Sequence, residues 1–393
     1  MIFIGYISLF YCKTFRVLIF LCIIKYRVSK MKEFKKIGIL TGGGDCPGLN
    51  AVIRAVVKTA INDYGVDVIG FKDGYEGLVE NKFLKLSYIA VSGILRQGGT
   101  ILGTSNKADP FKYPVKKNGK IIYRDLSNRS IKNLKKNKLD ALICVGGDGT
   151  LSIAYKLCKK GINIIGIPKT IDNDVNLTDA TSGFDSALVV VTDAIDKLQT
   201  TAQSHHRVMI VEVMGRYAGW LGLHSGIAGG ADVILIPEIP FDLKKIAQRV
   251  LERSKAGKRF SIIVVSEGAM PKGGEMVVKK LIKDSPDPIR LGGIGNYVSE
   301  QLEKMTGLEV RVTALGHVQR GGAPTAYDRI LATKFGSEAV RLIAEKKFGS
   351  MVALKGREII SVPIAEAIKT LKKVSPDSPL LKYARSVGTS FGD

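Results

Sequence analysis

The segment ALICVGGDGTLSIAYKLCKKGINIIGIPKTIDND (residues 141–174) predicts the fold of this chain. Its apolar run ALICVGG (141–147) indicates a buried strand, and LSIAYKLCKKG (151–161) has the apolar spacing of a short helix closed by a glycine. The run NIIGIP (163–168) indicates the next strand. A strand, a helix and a second strand in so few residues form a βαβ unit, which is typical of a parallel sheet.

The same alternation continues on both sides of this unit. Upstream, the strand candidate IGIL (37–40) is followed by an amphipathic helix from Leu49 and by DVIGF (67–71). Downstream, helical segments such as Asp242–Ser254 separate three further strand candidates, which are RVMIVEVMG (207–215), DVILIP (232–237) and RFSIIVVSEG (259–268). We therefore predict an α/β fold with two doubly wound, mostly parallel, three-layer lobes that bind ligands at the carboxyl ends of their strands.

The chain has 393 residues and a formal net charge of +23. Its basic residues are spread along the sequence, without a block of five like charges, so we expect no nucleic-acid partner. A basic proteome or an anionic substrate accounts for the charge. The five cysteines form no C-x-x-C pair, which favours reduced thiols and a cytoplasmic protein.

Residues 1–30 are strongly apolar, but Lys13 and Arg16 divide them into uncharged runs too short to span a bilayer. Met31 begins MKEFKKIGILTGGGD, which has the appearance of a natural start. We expect residues 1–30 to be an upstream extension outside the fold, without stable membrane association. The alternative is a membrane-surface anchor.

Two glycine-rich segments follow strand candidates. In Thr41–Asp45 (TGGGD), consecutive glycines allow an anion to approach the backbone beside a helix N-terminus, although a tight turn is an equal alternative. In Gly146–Thr150 (GGDGT), the carboxylate of Asp148 can reach Mg²⁺ or water bound to it. Lipid kinases and NAD kinases contain a pentapeptide similar to the second segment.

The segment PKTIDND (168–174) places two carboxylates, Asp172 and Asp174, beside Lys169 and Thr170. One carboxylate can take the proton of an acceptor hydroxyl during phosphoryl transfer while the other positions metal or substrate. The alternative is an Asp-rich, solvated turn.

Seven motifs in order resemble the phosphofructokinase family, from about residue 36 to about residue 391. They are GGGDCPGLNAVIR (42–54), GGDGT (146–150), PKTIDND (168–174), GFDSA (183–187), VEVMGRYAGWLG (211–222), SEG (266–268) and LGHVQRGGAPTAYDR (315–329). The resemblance implies Mg²⁺-dependent phosphorylation of fructose 6-phosphate at its 1-hydroxyl, a step of glycolysis. It disfavours the lipid-kinase and NAD-kinase interpretations, which share only the pentapeptide.

By the same resemblance, residues 32–183 and 319–391 form a phosphoryl-donor lobe and residues 184–318 a sugar-phosphate lobe, with the active site between them. Asp172 is the expected base, and Thr170 and Arg216 steady the transferring phosphoryl group. Asp148 is the expected metal ligand. The donor site is expected to comprise Gly44, Gly147, Asp148, Gly149 and Thr150.

The resemblance also implies a sugar-phosphate site that two subunits build together. Arg207 and Arg311 would reach in from a neighbouring subunit, which requires a homo-oligomer, a dimer or a tetramer. The expected substrate-binding residues are Thr170, Ile171, Asp172, Arg207, Met214, Gly215, Arg216, Glu267, Arg311, His317, Val318, Gln319 and Arg320.

The phosphoryl donor is ATP or pyrophosphate. Gly149 favours ATP, because family members that use pyrophosphate often carry Asp at that position. Lys169 resembles the pyrophosphate group, so the two positions are expected to determine donor specificity together. A non-catalytic, sugar-phosphate-binding subunit is a third hypothesis, disfavoured because Asp148, Asp172 and Asp174 are all present.

Overall fold

The computed structural model of this protein describes residues 34–117, 119–281 and 289–393. The predicted extension at residues 1–30 lies outside the described residues, as do Cys12 and Cys22. In the described part of the chain, Cys46, Cys144 and Cys158 are free thiols. None of the described helices is long and apolar enough to cross a bilayer.

A seven-stranded sheet forms the larger of two central sheets, and its strand order is β15-β14-β7-β6-β1-β2-β3. Neighbouring strands are parallel from β14 to β2, and only the two edge strands are antiparallel. The strands are β1 (Lys36–Thr41), β2 (Asp67–Phe71), β3 (Phe83–Lys85), β6 (Ala141–Gly146), β7 (Ile164–Pro168), β14 (Ser350–Lys355) and β15 (Glu358–Pro363).

The smaller sheet has four parallel strands in the order β13-β8-β10-β9. They are β8 (Val208–Val213), β9 (Val233–Leu235), β10 (Ser261–Ser266) and β13 (Val310–Ala314). Two antiparallel ribbons stand apart from both sheets, formed by β4 (Tyr113–Lys117) with β5 (Lys120–Arg124) and by β11 (Val278–Leu281) with β12 (Ile289–Leu291). Every strand of the smaller sheet falls between residues 184 and 318, although the predicted lobe boundaries stay a prediction.

Helices cover the sheets and connect their parallel strands. They are α1 (Leu49–Tyr64), α2 (Tyr75–Glu80), α3 (Ser127–Lys136), α4 (Asp148–Lys159), α5 (Phe184–His205), α6 (Trp220–Ala228), α7 (Leu243–Lys255), α8 (Ile294–Thr306), α9 (Ala326–Ala344), α10 (Ile364–Ala367) and α11 (Pro379–Ser386). Short 3₁₀ helices lie at Ile94–Arg96 and Gly316–Arg320. The helix predicted from residue 151 begins three residues earlier, at Asp148, so the GGDGT segment contains the first helical turn.

Both faces of each sheet are buried, which confirms the predicted three-layer α/β architecture. On β6, Ile143 and Val145 face one apolar core, whereas Leu142 and Cys144 face another on the opposite side. This alternation is expected of a strand covered by helices on both faces. The first core continues to one face of the smaller sheet through residues such as Val211, so the two sheets share it.

A buried carboxylate joins α9 to the start of α5. Asp328 is fully buried, and its side chain accepts hydrogen bonds from the backbone N–H groups of Gly183 (2.9 Å) and Ser186 (2.8 Å). The hydroxyl of Ser186 donates a third bond of 2.6 Å. The first turn of a helix has N–H groups without intrahelical acceptors, so a residue distant in sequence caps α5.

We predict that Asp328→Ala lowers the free energy of unfolding by about 3 kcal/mol, because it leaves several buried donors without an acceptor. Urea denaturation measures the change. Asp193→Ala removes an exposed carboxylate that pairs with Lys197 on the same helix, and it should change stability by less than about 0.5 kcal/mol. Equal losses in the two variants would contradict the capping role.

Candidate active site

The three loops singled out in the sequence meet at one edge of the larger sheet. They follow β1, β6 and β7, which are adjacent and parallel, so their carboxyl ends lie side by side. The N–H of Gly42 donates to the carbonyl of Val145 at 2.9 Å, and the N–H of Lys169 donates to the carbonyl of Gly146 at 3.0 Å. Backbone hydrogen bonds therefore hold the loops in register with one another.

The loop after β6 presents its glycines and one carboxylate at the start of α4. A Cβ atom on Gly146 would overlap the buried side chain of Thr150, so packing requires glycine there. Asp148 and Gly149 are exposed, and a Cβ on Gly149 would meet no atom of the described residues within 4 Å. Tyr75 anchors the helix start, since its hydroxyl donates to the carbonyl of Thr150 at 2.7 Å.

The loop after β7 contains two buried carboxylates. Asp172 is 5% exposed and Asp174 is 8% exposed, which excludes the solvated-turn alternative. Burial raises the pKa of Asp172, while Arg320, Arg216 and Lys169 act in the opposite direction. Burial, followed by repulsion from Asp172, raises the pKa of Asp174 to about 7.

One oxygen of Asp172, Oδ1, is buried and has no hydrogen-bond partner among the described residues. The backbone N–H of Asp172 donates to Thr170 Oγ1 at 3.0 Å, so the loop is held from within. A buried carboxylate oxygen without a donor is costly unless a ligand supplies one. Oδ1 is therefore available to accept a hydrogen bond or a proton from a bound molecule.

The sequence interpretation did not include the residues that hold this loop in shape. Asn173 has a left-handed backbone conformation with φ of 52°, and its side-chain Oδ1 accepts a bond from the N–H of Thr181 at 3.1 Å. The hydroxyl of Thr181 donates to the carbonyl of Thr170 at 2.7 Å. An Asn inside an Asp-rich loop is a weak signal for such a turn, because Asn tolerates positive φ.

Arg216 and Glu267 follow β8 and β10, which are adjacent in the smaller sheet. Arg216 has φ of 52°, and its N–H donates to Glu267 Oε1 at 3.3 Å. A Cβ atom on Gly268 would overlap the carbonyl oxygen of Arg216, so only glycine fits beside this backbone. Burial, followed by repulsion from Asp172, raises the pKa of Glu267 to about 7. The bond between Arg216 and Glu267, and the repulsion of Glu267 by Asp172, indicate that these three residues are neighbours.

The 3₁₀ helix Gly316–Arg320 joins this site to the loop after β1. Buried Gln319 accepts a bond from the N–H of Met214 at 3.2 Å and donates to the carbonyl of Gly316 at 2.9 Å. Arg320 Nη1 donates to the carbonyl of Asp45 at 3.1 Å. A Cβ on Gly44 would lie 2.6 Å from that Nη1, so Gly44 makes room for the guanidinium.

The remaining expected substrate-binding residues differ in exposure. His317 and Val318 are exposed, whereas Gly215 is buried with φ of 135°. The side chain of Ile171 is fully buried in the shared core. Ile171 can therefore offer a ligand only its backbone.

Arg207 and Arg311 lie apart from these groups. Arg207 immediately precedes β8 and Arg216 follows it, and the six residues of β8 span roughly 20 Å. Arg207 Nε pairs with Glu309 Oε2 at 2.7 Å, and Arg311 pairs with the same carboxylate. Within one chain, the two arginines are therefore at the opposite end of the smaller sheet from the carboxylate site.

Asp148 is the carboxylate that the sequence predicts to bind a divalent cation. Asp148 is exposed at the start of α4 and contributes to the raised pKa of Asp174. The described residues include no group of three or more His, Cys, Asp or Glu side chains that could hold a metal ion. One exposed carboxylate at a helix start is compatible with a divalent cation that keeps several waters and also binds substrate phosphates.

The phosphofructokinase family model matches residues 36–343. The chain belongs to the phosphofructokinase family. It is 57% identical to ATP-dependent 6-phosphofructokinase 2 of Clostridium perfringens, over 92% of this chain and 100% of that protein. It is 52% identical to a pyrophosphate–fructose 6-phosphate 1-phosphotransferase of Streptomyces coelicolor, over 91% and 100%.

A solved phosphofructokinase from Saccharomyces cerevisiae has the same fold, with a TM-score of 0.72 and 34% identity. The match covers 85% of this phosphofructokinase and 45% of the yeast chain, so the protein spans under half of that larger relative.

The raised pKa of Glu267 predicts a pH-dependent cost to stability. The folded-state pKa, about 7, lies above the ordinary 4.5, so the cost is absent below pH 4.5 and complete above pH 7. Glu267→Gln keeps an acceptor for Arg216 and removes the charge. It should stabilise the protein by about 2 kcal/mol more at pH 8.5 than at pH 5. Urea denaturation without divalent metal measures this, and a pH-independent effect would contradict the assignment.

Proposed function

We propose that this phosphofructokinase transfers the γ-phosphoryl group of ATP to the 1-hydroxyl of fructose 6-phosphate, yielding fructose 1,6-bisphosphate and ADP. Family membership and the names of relatives support the reaction. The observation that carries the catalytic assignment is the buried Oδ1 of Asp172, which has no hydrogen-bond partner among the described residues and lies near Arg320, Arg216 and Lys169. The reaction is a step of glycolysis and belongs in the cytoplasm.

Asp172 serves as the general base. As the sugar 1-oxygen attacks the γ-phosphorus, its proton passes to the carboxylate of Asp172, and the bond between the γ-phosphorus and the bridging oxygen of ADP breaks. Burial raises the proton affinity of Asp172, whereas Arg320, Arg216 and Lys169 favour its ionised form. Burial therefore makes the carboxylate a stronger proton acceptor, and the three cations oppose that effect.

Arg216 and Thr170 are the residues that we propose to steady the transferring phosphoryl group. The left-handed backbone of Arg216 is held between Glu267 and Gly268, so the guanidinium starts from a defined position. Its charge stabilises the negative charge that spreads over the phosphoryl oxygens. Thr170 lies next to the base and completes this arrangement.

We assign the divalent metal to Mg²⁺ and its protein ligand to Asp148. The metal, when bound, neutralises charge on the donor phosphates. Gly147, Gly149 and Thr150 begin α4 together with Asp148, so the helix N-terminus also faces the donor. Gly44 contributes from the neighbouring loop.

The sugar-phosphate site requires a homo-oligomer. Met214, Gly215, Glu267 and His317 lie at the carboxyl ends of strands, whereas Arg207 and Arg311 lie at the other end of the same sheet. A second subunit can bring its own Arg207 and Arg311 to the 6-phosphate, where Arg320 supplies a further guanidinium. A dimer or a tetramer satisfies this requirement.

ATP is the proposed donor because the position at Gly149 is open. A Cβ there would meet no described atom within 4 Å. By the family resemblance, the adenosine side of ATP would lie across this turn. Pyrophosphate is the second candidate, because Lys169 resembles the pyrophosphate group and the Streptomyces coelicolor relative is named for that donor. Assaying the purified protein with fructose 6-phosphate, Mg²⁺ and each donor distinguishes the two.

We predict that Asp172→Ser lowers kcat by at least about 100-fold with little change in the KM for fructose 6-phosphate, because only the proton acceptor is lost. Steady-state kinetics with saturating ATP measures both constants. Asp179→Ser is the control, since that exposed carboxylate bonds Lys355 and the N–H of Gly356 outside the site. A kcat for Asp172→Ser near that of the control would remove Asp172 from the mechanism.

We predict that Gly149→Asp lowers kcat/KM for ATP by at least about 100-fold, roughly 2.7 kcal/mol, through steric overlap with the donor and repulsion of its phosphates. Gly149→Ala is the matched variant, because its methyl group meets no protein atom and adds no charge. It should lose much less activity. Faster turnover of pyrophosphate than of ATP by the unmodified protein would contradict the assignment of ATP as the donor.

A further inference from the structure

Lys169 is a buried lysine whose ammonium is already engaged by the protein. It follows β7 directly and is 3% exposed. Its Nζ donates to the carbonyl oxygen of Gly42 at 3.0 Å and also to the carbonyl oxygen of Gly44. Two of the three donors of the ammonium are thus used on the loop that follows β1.

A second cation holds the same loop one residue further along. Arg320 Nη1 donates to the carbonyl of Asp45 at 3.1 Å. The carbonyls of Gly42, Gly44 and Asp45 are therefore all bound by cationic side chains. Glycine at positions 42–44 permits this backbone path, with φ of 78° at Gly43.

The orientation of these carbonyls decides where the N–H groups of the loop point. The described peptide bonds include no cis bond, and in a planar trans peptide the C=O and N–H point in opposite directions. The N–H groups of Asp45 and Cys46 therefore point away from the two cations. Neither N–H donates a hydrogen bond to another described residue. Successive free N–H groups on one side of a loop form an anion-binding concavity.

We propose that Lys169 is a positioning residue that clamps the Gly42–Gly44 loop, so that the N–H groups of Asp45 and Cys46 face the donor phosphates. The proposal rests on the proposed function for the identity of the anion. It differs from the expectation that Lys169 helps to determine donor specificity together with Gly149. The clamp acts on the loop alone, so it does not select between ATP and pyrophosphate.

Three variants separate a clamp from a phosphate ligand. Lys169→Met keeps the length and removes every donor, whereas Lys169→Gln removes the charge but keeps an N–H donor for a loop carbonyl. Lys372→Met is the matched control, because Lys372 is a partly buried lysine whose Nζ donates to the carbonyls of Thr178 and Asp179 at 2.9 Å. Its loop lies outside residues 41–46.

The first measurement is amide hydrogen exchange of the full-length protein without substrates, which does not depend on the proposed reaction. Lys169→Met should accelerate exchange in residues 41–48 by at least about tenfold, as expected when charge-assisted bonds are lost. Lys372→Met should leave this segment unchanged and accelerate exchange around residues 178–180. Unchanged exchange at 41–48 in Lys169→Met would overturn the clamp even if the protein proved to be an ATP-dependent kinase.

The second measurement is the KM for ATP with saturating fructose 6-phosphate. Lys169→Met should raise this KM by about tenfold, and Lys169→Gln should recover a clear part of the loss, because a neutral donor can still hold one carbonyl. The KM for fructose 6-phosphate should change less than about twofold. Equal losses in the Met and Gln variants would show that the positive charge itself binds the donor, and would overturn the proposal.

Discussion

The parallel pairing of β1, β6 and β7 is the constraint on which the rest of the site depends. Parallel neighbours end at the same edge of a sheet, so the loops that follow these three strands must lie side by side. The strand β6 lies between the other two, and its carbonyls accept hydrogen bonds from both neighbouring loops. The donors are the N–H of Gly42 and the N–H of Lys169. Because the strands are buried on both faces, they give these loops a rigid support.

At this end of the larger sheet, buried carboxylates lie close to cationic side chains that offset their negative charge. Asp172, Asp174 and Glu267 are largely buried, and burial raises the pKa of each. Arg216, Arg320 and Lys169 oppose that effect at Asp172. Like charges kept close together cost stability, and positively charged ligands or a divalent metal can relieve that cost.

The length of β8 separates two groups of cationic side chains in the smaller sheet. Arg216 lies past its carboxyl end, whereas Arg207 precedes its first residue and is held with Arg311 by Glu309. No rotation of side chains can close a gap of roughly 20 Å. An arginine side chain spans only a fraction of this distance. If all of these arginines bind one sugar phosphate, the site must therefore include residues of two subunits.

The sequence alone determined the fold class and pointed to the loops that we propose to be catalytic. Apolar runs of strand length alternating with amphipathic helices predict parallel, doubly wound sheets, and PKTIDND supplied both Asp172 and Asp174. The local pattern was sufficient for the fold class, because the periodicity of a strand or helix can be read from consecutive residues. The sequence pattern did not predict that α4 begins at Asp148. Gly147 and Gly149 are poor helix formers, so nothing in the pattern indicated the first helical turn.

Only the tertiary structure decided what individual side chains contact. Thr181 bonds Thr170 and Asn173 within one loop, and Lys169 reaches Gly42 from 127 positions away along the chain. Such contacts depend on how strands are ordered in the sheet, which no local pattern encodes. In the sequence, Lys169 is a cation close to a predicted phosphate-binding loop. In the fold its ammonium is buried against backbone carbonyls. This contact is possible because only β6 separates β7 from β1 in the sheet.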